Sequence, residues 1–196
     1  TYVEQKVINW LCDKYELGEK ADGIFTSGGT QSNQMGLMLA RDWIADKLSG
    51  HSIQKLGLPD YADKLRIVCS KKSHFTVQKS ASWMGLGEKA VMTVDANADG
   101  TMDITQLDHV LTQAKEEGLI PFAIVGTAGT TDHGAIDDLD FIADMAVKHE
   151  MWMHVDGAYG GALILSSHKS RLKGVERAHS ISVDFHKLFY LSLIHI

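Results

Sequence analysis

Apolar positions along this chain recur in two periods that take turns. Short runs rich in β-branched and other apolar residues stand at Arg66–Cys69 (RIVC), Ala90–Val94 (AVMTV), Phe122–Val125 (FAIV), Trp152–Val155 (WMHV) and Ile181–Val183 (ISV); each has the length of a buried strand. Between them the apolar residues return every three or four positions. Gln31–Lys47 carries Met35, Leu39 and Trp43, with Leu48 just beyond, and Asp138–His149 carries Leu139, Ile142, Ala143 and Ala146. Asp103–Glu117 opens with Asp-x-x-Gln, the spacing of a capping box. A further helical pattern, Val3, Val7, Ile8 and Leu11, begins almost at Thr1. Strands separated by helices predict βαβ units, and so an α/β fold with a mainly parallel sheet flanked by helices.

No linker, repeat or low-complexity segment divides the chain, and Ser49–Lys64 reads as an excursion between a helix and a strand. The 196 residues, 44% of them hydrophobic, are enough for one sizeable core. A net charge of −6 with no long basic run argues against nucleic acid and anionic membrane as partners. Cys12 and Cys69 form no C-x-x-C pair, which fits a reducing, cytoplasmic setting. Nothing approaches the roughly 18 uninterrupted apolar residues of a spanning helix. The closing LSLIHI, 191–196, is what one frame of a sequencing adapter would encode, so residues 1–190 are read as part of a large domain and 191–196 as a non-native tail.

In open α/β sheets ligands sit beyond the carboxyl ends of the strands, and here those positions hold reactive side chains. RIVC is followed by Ser70-Lys71-Lys72-Ser73-His74, FAIV by GTAGTTDHG (126–134), WMHV by Asp156, and ISV by Asp184, His186 and Lys187. Earlier, FTSGGTQSN (25–33) is a glycine turn that opens a helix, a natural seat for an anion. The small residues Gly157-Ala158-Tyr159-Gly160-Gly161 allow close approach by a ligand or by another backbone. Alone, none of these pieces is specific. Together, an anion seat, an imidazole, a carboxylate and a lysine at what reads as a buried strand end suggest pyridoxal 5′-phosphate. The carboxylate would hold the ring nitrogen protonated, and the lysine would form a Schiff base with the aldehyde. A metal site built from His74, His154, Asp156 and His186, as in a hydrolase, stays open beside it: His154 and Asp156 share a strand face, but no H-E-x-x-H or comparable cluster is present.

Five ordered motifs, GIFTSGGTQSN, SHFTVQKSA, GTAGTTDHGAIDDL, HVDGAYGG and SVDFHKLFY, resemble the group II pyridoxal-phosphate-dependent amino-acid decarboxylases over nearly all of residues 1–190. The resemblance implies the large domain of the fold type I pyridoxal-phosphate enzymes and a carboxy-lyase acting on an L-amino acid. The substrate it implies is 2,4-diaminobutyrate-like or glutamate-like, with cysteine sulfinate and aromatic amino acids open. It makes Lys187 the Schiff-base lysine, Asp156 the partner of the ring nitrogen, His74 the stacking histidine and Ala158 a small residue close to the ring. Thr30 and Gln31 fall at phosphate-contacting positions, Thr131 near the cofactor, and His186 at a phosphate or active-site contact. Asp184 stands where some members carry Asn. Family members continue into a catalytic loop and a small domain, so the resemblance also implies a fragment, inactive alone, of a homodimeric enzyme. An aminotransferase or sulfur-removing enzyme of the same fold is the runner-up.

Overall fold

The computed structural model describes residues 1–191. Five strands, β1 (Leu65–Ser70), β2 (Val91–Val94), β3 (Ile120–Thr127), β4 (Trp152–Asp156) and β5 (Ser180–Ser182), form one sheet in the order β2-β1-β3-β4-β5. Every pairing is parallel. Helices α1 (Tyr2–Lys14), α2 (Gly29–Ser49) and α3 (Ile53–Leu56) precede the first strand, while α4 (Thr76–Trp83), α5 (Ile104–Glu116) and α6 (Leu139–His149) connect β1 to β2, β2 to β3 and β3 to β4. The side-chain period of two sorts the strands into two cores. Ile67, Cys69, Ala123 and Val125 pack with Leu37, Ala40 and Ile44 of α2 and Val77 and Ala81 of α4. Val68, Ile124, Met153 and Val155 pack with Leu107 and Leu111 of α5 and Leu139 and Ile142 of α6. The expected α/β architecture is the one observed.

The register aligns the strand ends that matter. Thr127 pairs with Asp156 and Asp156 with Ser182, two residues beyond the row Val125, His154 and Ser180. Because alternate residues share a face, His154 and Asp156 both look toward α2, while Met153 and Val155 look the other way.

Several expected boundaries shift. The helix expected over Gln31–Lys47 runs from Gly29 to Ser49, and the excursion Ser49–Lys64 contains the short α3. At α5 the N-cap is Asp103, whose carboxylate accepts the Thr105 N–H, but Gln106 returns to the Asp103 side chain (2.9 Å) rather than to its backbone. A full capping box occurs instead at Thr1 and Glu4 of α1. The run expected as a strand over Ile181–Val183 pairs only from Ser180 to Ser182, because its partner β4 itself ends at Asp156. His186 and Lys187 therefore do not sit at a buried strand end: they lie on the turn that follows, and both are exposed. Leu191 closes that turn by donating its N–H to the Phe185 carbonyl (2.9 Å), and residues 192–196 of the expected tail lie outside the described residues. Among the described residues no helix is long and apolar enough to cross a membrane.

Candidate active site

A cleft of about 1080 Å³ opens at the carboxyl ends of β3 and β4, where an α/β sheet presents its binding groups. Its lining includes Thr30 at the start of α2, His74 before α4, Thr131 after β3, Asp156 and Ala158 at the end of β4, and Lys187. Six of the eight residues singled out by sequence thus meet in one place. The other two side chains turn elsewhere. The Gln31 amide oxygen accepts the Ser27 N–H (2.8 Å) and its hydroxyl (2.9 Å), tying down the turn that leads into α2. His186 borders a separate, largely apolar groove between α1 and residues 183–186.

The glycines of the site serve backbone packing. A Cβ on Gly160 would stand 2.6 Å from the Ala128 carbonyl oxygen, whose hydrogen bond from the Gly160 N–H is 2.8 Å long. Gly129, at φ +97°, would place a Cβ 2.8 Å from the Gly160 nitrogen. The loops after β3 and β4 therefore touch main chain to main chain, which only glycine permits. Asp137 fixes the first loop from beneath, its two oxygens accepting the Met102 N–H (2.7 Å) and the Thr127 N–H (2.8 Å). Burial pushes its carboxyl up to about 6 despite those donors.

At the other wall Gly28 ends the preceding turn with φ 155° and α2 begins without a side-chain cap. The N–H groups of a first helical turn lack intrahelical acceptors and carry the positive end of the helix dipole. Gly29 and Thr30 bring that end to the cleft. Asp184 stands beside it: its carboxylate accepts the His186 N–H at 2.9 Å, and a Cβ on Gly29 would come within 3.8 Å of its Oδ2.

Asp156 is buried and both oxygens accept hydrogen bonds, Oδ2 from the Asn33 amide (2.8 Å) and Oδ1 from the Ala158 N–H (3.2 Å). The same Asn33 NH2 group donates to the Thr76 hydroxyl (3.0 Å), which lies 2.9 Å from His74 Nδ1. Asn33 Oδ1 meets His154 Nε2 at 3.0 Å, and His154 Nδ1 meets the Ser180 hydroxyl at 2.8 Å. Full burial pushes the His154 imidazole down to about 4, against the pull of the Asp156 charge. With both ring nitrogens engaged by protein, His154 has no lone pair for a metal ion. Among the described residues no group of three His, Cys, Asp or Glu side chains is disposed to hold one, so the metal-site alternative has no support.

The pyridoxal-dependent decarboxylase conserved domain matches residues 1–194. The chain belongs to that family. It is 94% identical, with a TM-score of 0.97 over 97% of its length, to 42% of a crystal structure described as the glutamate decarboxylase domain of diaminobutyrate-pyruvate transaminase and L-2,4-diaminobutyrate decarboxylase from Vibrio parahaemolyticus. It is 46% identical to an L-2,4-diaminobutyrate decarboxylase of Rhizobium meliloti (strain 1021), over 97% of this chain and 36% of that protein. It is 43% identical to one of Acinetobacter baumannii, over 97% of this chain and 39% of that protein. The chain thus spans less than half the length of these pyridoxal-dependent relatives.

Within this family member the residues that sequence reasoning missed are Asn33, Thr76 and Ser180, and His154 was weighed only as a metal ligand. One signal was available. Gly36 sits inside α2, where glycine costs helix stability, one turn from Asn33 and so on the same face. A Cβ there would stand 2.6 Å from both Cε1 and Nδ1 of His154.

Proposed function

We propose that this chain supplies the cofactor cleft of a pyridoxal 5′-phosphate-dependent L-amino-acid decarboxylase, acting on L-2,4-diaminobutyrate or a glutamate-like acid. The 43–46% identity to L-2,4-diaminobutyrate decarboxylases favours the former substrate. The observation that carries the reading is the buried Asp156 carboxylate, held by Asn33 at a strand end and opening on the same cleft as His74 and Lys187.

The donor set suits the cofactor. A phosphate would be held by the first-turn N–H groups of α2 and the Thr30 hydroxyl, a ring nitrogen by the Asp156 carboxylate, an aldehyde by the Lys187 amine, and a flat ring by the imidazole of His74 and the small side chain of Ala158, all of them groups that line the cleft. When bound, pyridoxal phosphate supplies an aldehyde for the substrate amine and a cationic ring that takes up the electrons released as CO2 departs. Asp156 would keep the proton on the ring nitrogen by offering a fixed negative partner. Lys187, exposed on its turn, would bring its Nζ to the aldehyde carbon. His74 would hold the ring and help orient the substrate carboxylate, and Thr131 would add a hydroxyl at the cleft wall. Gln31 would contribute a first-turn N–H rather than its amide. Asp184 would act as a like charge near the phosphate, held back by the His186 N–H. We also assign the full-length protein to the cytoplasm as a homodimer, on the family resemblance of its motifs.

The test supplies the cofactor-loaded full-length protein separately with L-2,4-diaminobutyrate, glutamate, cysteine sulfinate and an aromatic amino acid, and measures CO2 and the amine product. Release of CO2 with the matching diamine supports the reading. A keto acid product without CO2 would point to transamination and overturn it.

A further inference from the structure

The polar side chains behind Asp156 form one continuous chain, and its proton order is set from the Asp156 end. The Trp152 indole can only donate, and its Nε1–H reaches the Ser180 oxygen at 2.8 Å. The Ser180 hydroxyl lies 2.8 Å from His154 Nδ1 and, with one lone pair taken by the indole, is able either to donate to that nitrogen or to accept from it. A neutral imidazole whose Nδ1 accepts carries its proton on Nε2, which points at Asn33 Oδ1 (3.0 Å). From the opposite end, the Asp156 carboxylate demands that Asn33 turn its NH2 rather than its oxygen toward Oδ2. Reversing the amide would set two oxygens 2.8 Å apart and leave His154 Nε2–H facing an N–H donor. The second amide proton goes to Thr76, whose hydroxyl then donates to His74 Nδ1 (2.9 Å). The Thr76 N–H also points at that nitrogen (3.4 Å). The Asp156 end thus selects one arrangement, with the His154 proton on Nε2 and the Ser180 hydroxyl donating to Nδ1.

We infer that Asn33 and His154 are positioning residues: a neutral His154 carrying its proton on Nε2 orients the Asn33 amide, whose single NH2 group sets both Asp156 and, through Thr76, the His74 ring. The functional part of this inference rests on the proposed cofactor reading. The arrangement makes His74 present its protonated Nε2 away from Thr76. It also ties the carboxylate and the imidazole that would flank a cofactor to one amide. Four observations support a built device rather than a chance network. Asn33, Thr76, His154 and Asp156 are all buried. The groups around His154 are Asn33 and Gly36 of α2 and Ser180 and Ser182 of the sheet, with Asp156 the charge that acts on it. Burial outweighs that charge and keeps the imidazole neutral. Gly36 leaves the space the ring occupies.

Neutron crystallography of the full-length protein without cofactor reads the protons directly. Hydrogen on His154 Nε2 and none on Nδ1, with His74 likewise bare at Nδ1, is the expected result; a proton on His154 Nδ1 or a doubly protonated ring overturns the inference whether or not the cofactor reading holds. Cofactor affinity supplies the functional arm. Asn33→Leu and His154→Leu should each weaken pyridoxal phosphate binding by roughly tenfold to a hundredfold, the loss of a hydrogen bond to a charged group. His154→Gln, whose side-chain amide can still donate to Asn33 Oδ1, should recover most of it. Unchanged affinity in both leucine variants, or no recovery with glutamine, overturns the positioning role. Absence of cofactor binding in the wild type, with the expected neutron pattern intact, would instead overturn the cofactor reading alone.

Discussion

Gly36→Ala separates two opposing effects whose sizes can be set from the structure. In an unobstructed helix interior the change should stabilise by about 1 kcal/mol, since glycine is the poorer helix former. Here the new methyl carbon would lie 2.6 Å from Cε1 and Nδ1 of His154 and 3.0 Å from the Ser180 hydroxyl. The imidazole is buried and hydrogen-bonded on both sides, so it cannot swing away freely. Overpacking of this kind costs roughly 1–3 kcal/mol, and breaking the two imidazole hydrogen bonds adds about 1 kcal/mol each. Offsetting the helix gain, the net is a destabilisation of about 2–4 kcal/mol. Urea unfolding of the full-length protein and its variant, followed by far-ultraviolet circular dichroism, measures it. A variant more stable than the wild type by about 1 kcal/mol would mean that the glycine makes no room for His154, and the reasoning would be wrong.

Further outcomes follow from the same structure. His154 is held neutral in the folded state, about 4 against an ordinary 6.5, so the unfolded chain takes up its proton first. Stability should therefore fall by up to about 3 kcal/mol as pH drops from about 6.5 to about 4, and His154→Gln should flatten that limb; parallel curves for the two proteins would refute it. Asp137 behaves oppositely: its folded value of about 6 against 3.8 means the folded state holds the proton more tightly. The stability of the wild type relative to Asp137→Asn should thus decline by roughly 3 kcal/mol between about pH 4 and pH 6 and level off above; a difference independent of pH would contradict the assignment. Gly129→Ala combines a strained φ of +97° with a Cβ 2.8 Å from a backbone nitrogen that cannot yield. It should cost about 2 kcal/mol or more, read as a lower unfolding midpoint, and an unchanged midpoint would show that the two loops do not meet as described.

The layer architecture was legible because β3 is buried along nearly its whole length and so reads as an unbroken apolar run, while α5 and α6 each carry one apolar stripe. Helix α4 left little trace: it has eight residues and no side-chain cap, and it buries Thr76 and Ser80 along with Val77 and Ala81. The position of Lys187 was misread for a related reason. An apolar, β-branched stretch looks like strand whether or not a neighbour is present to pair with it, and β4 supplies only three partners to β5. Much of the cleft was visible, since reactive side chains after successive strands must converge at one sheet edge. The chain of bonds behind Asp156 was not. Asn33 finds its partners 121 and 123 residues away and Thr76 lies 43 residues from Asn33. Nothing in the neighbours of an asparagine or a threonine announces contacts at that range.

Lys187 is the most direct point of attack on the proposed function. Incubation of the full-length protein with pyridoxal phosphate, reduction with borohydride and peptide mapping should recover the cofactor label on the peptide containing Lys187, and Lys187→Ala should abolish both the label and the visible absorbance. Label on a different lysine, or an unlabelled protein that still releases CO2 from its amino-acid substrate, would contradict the account.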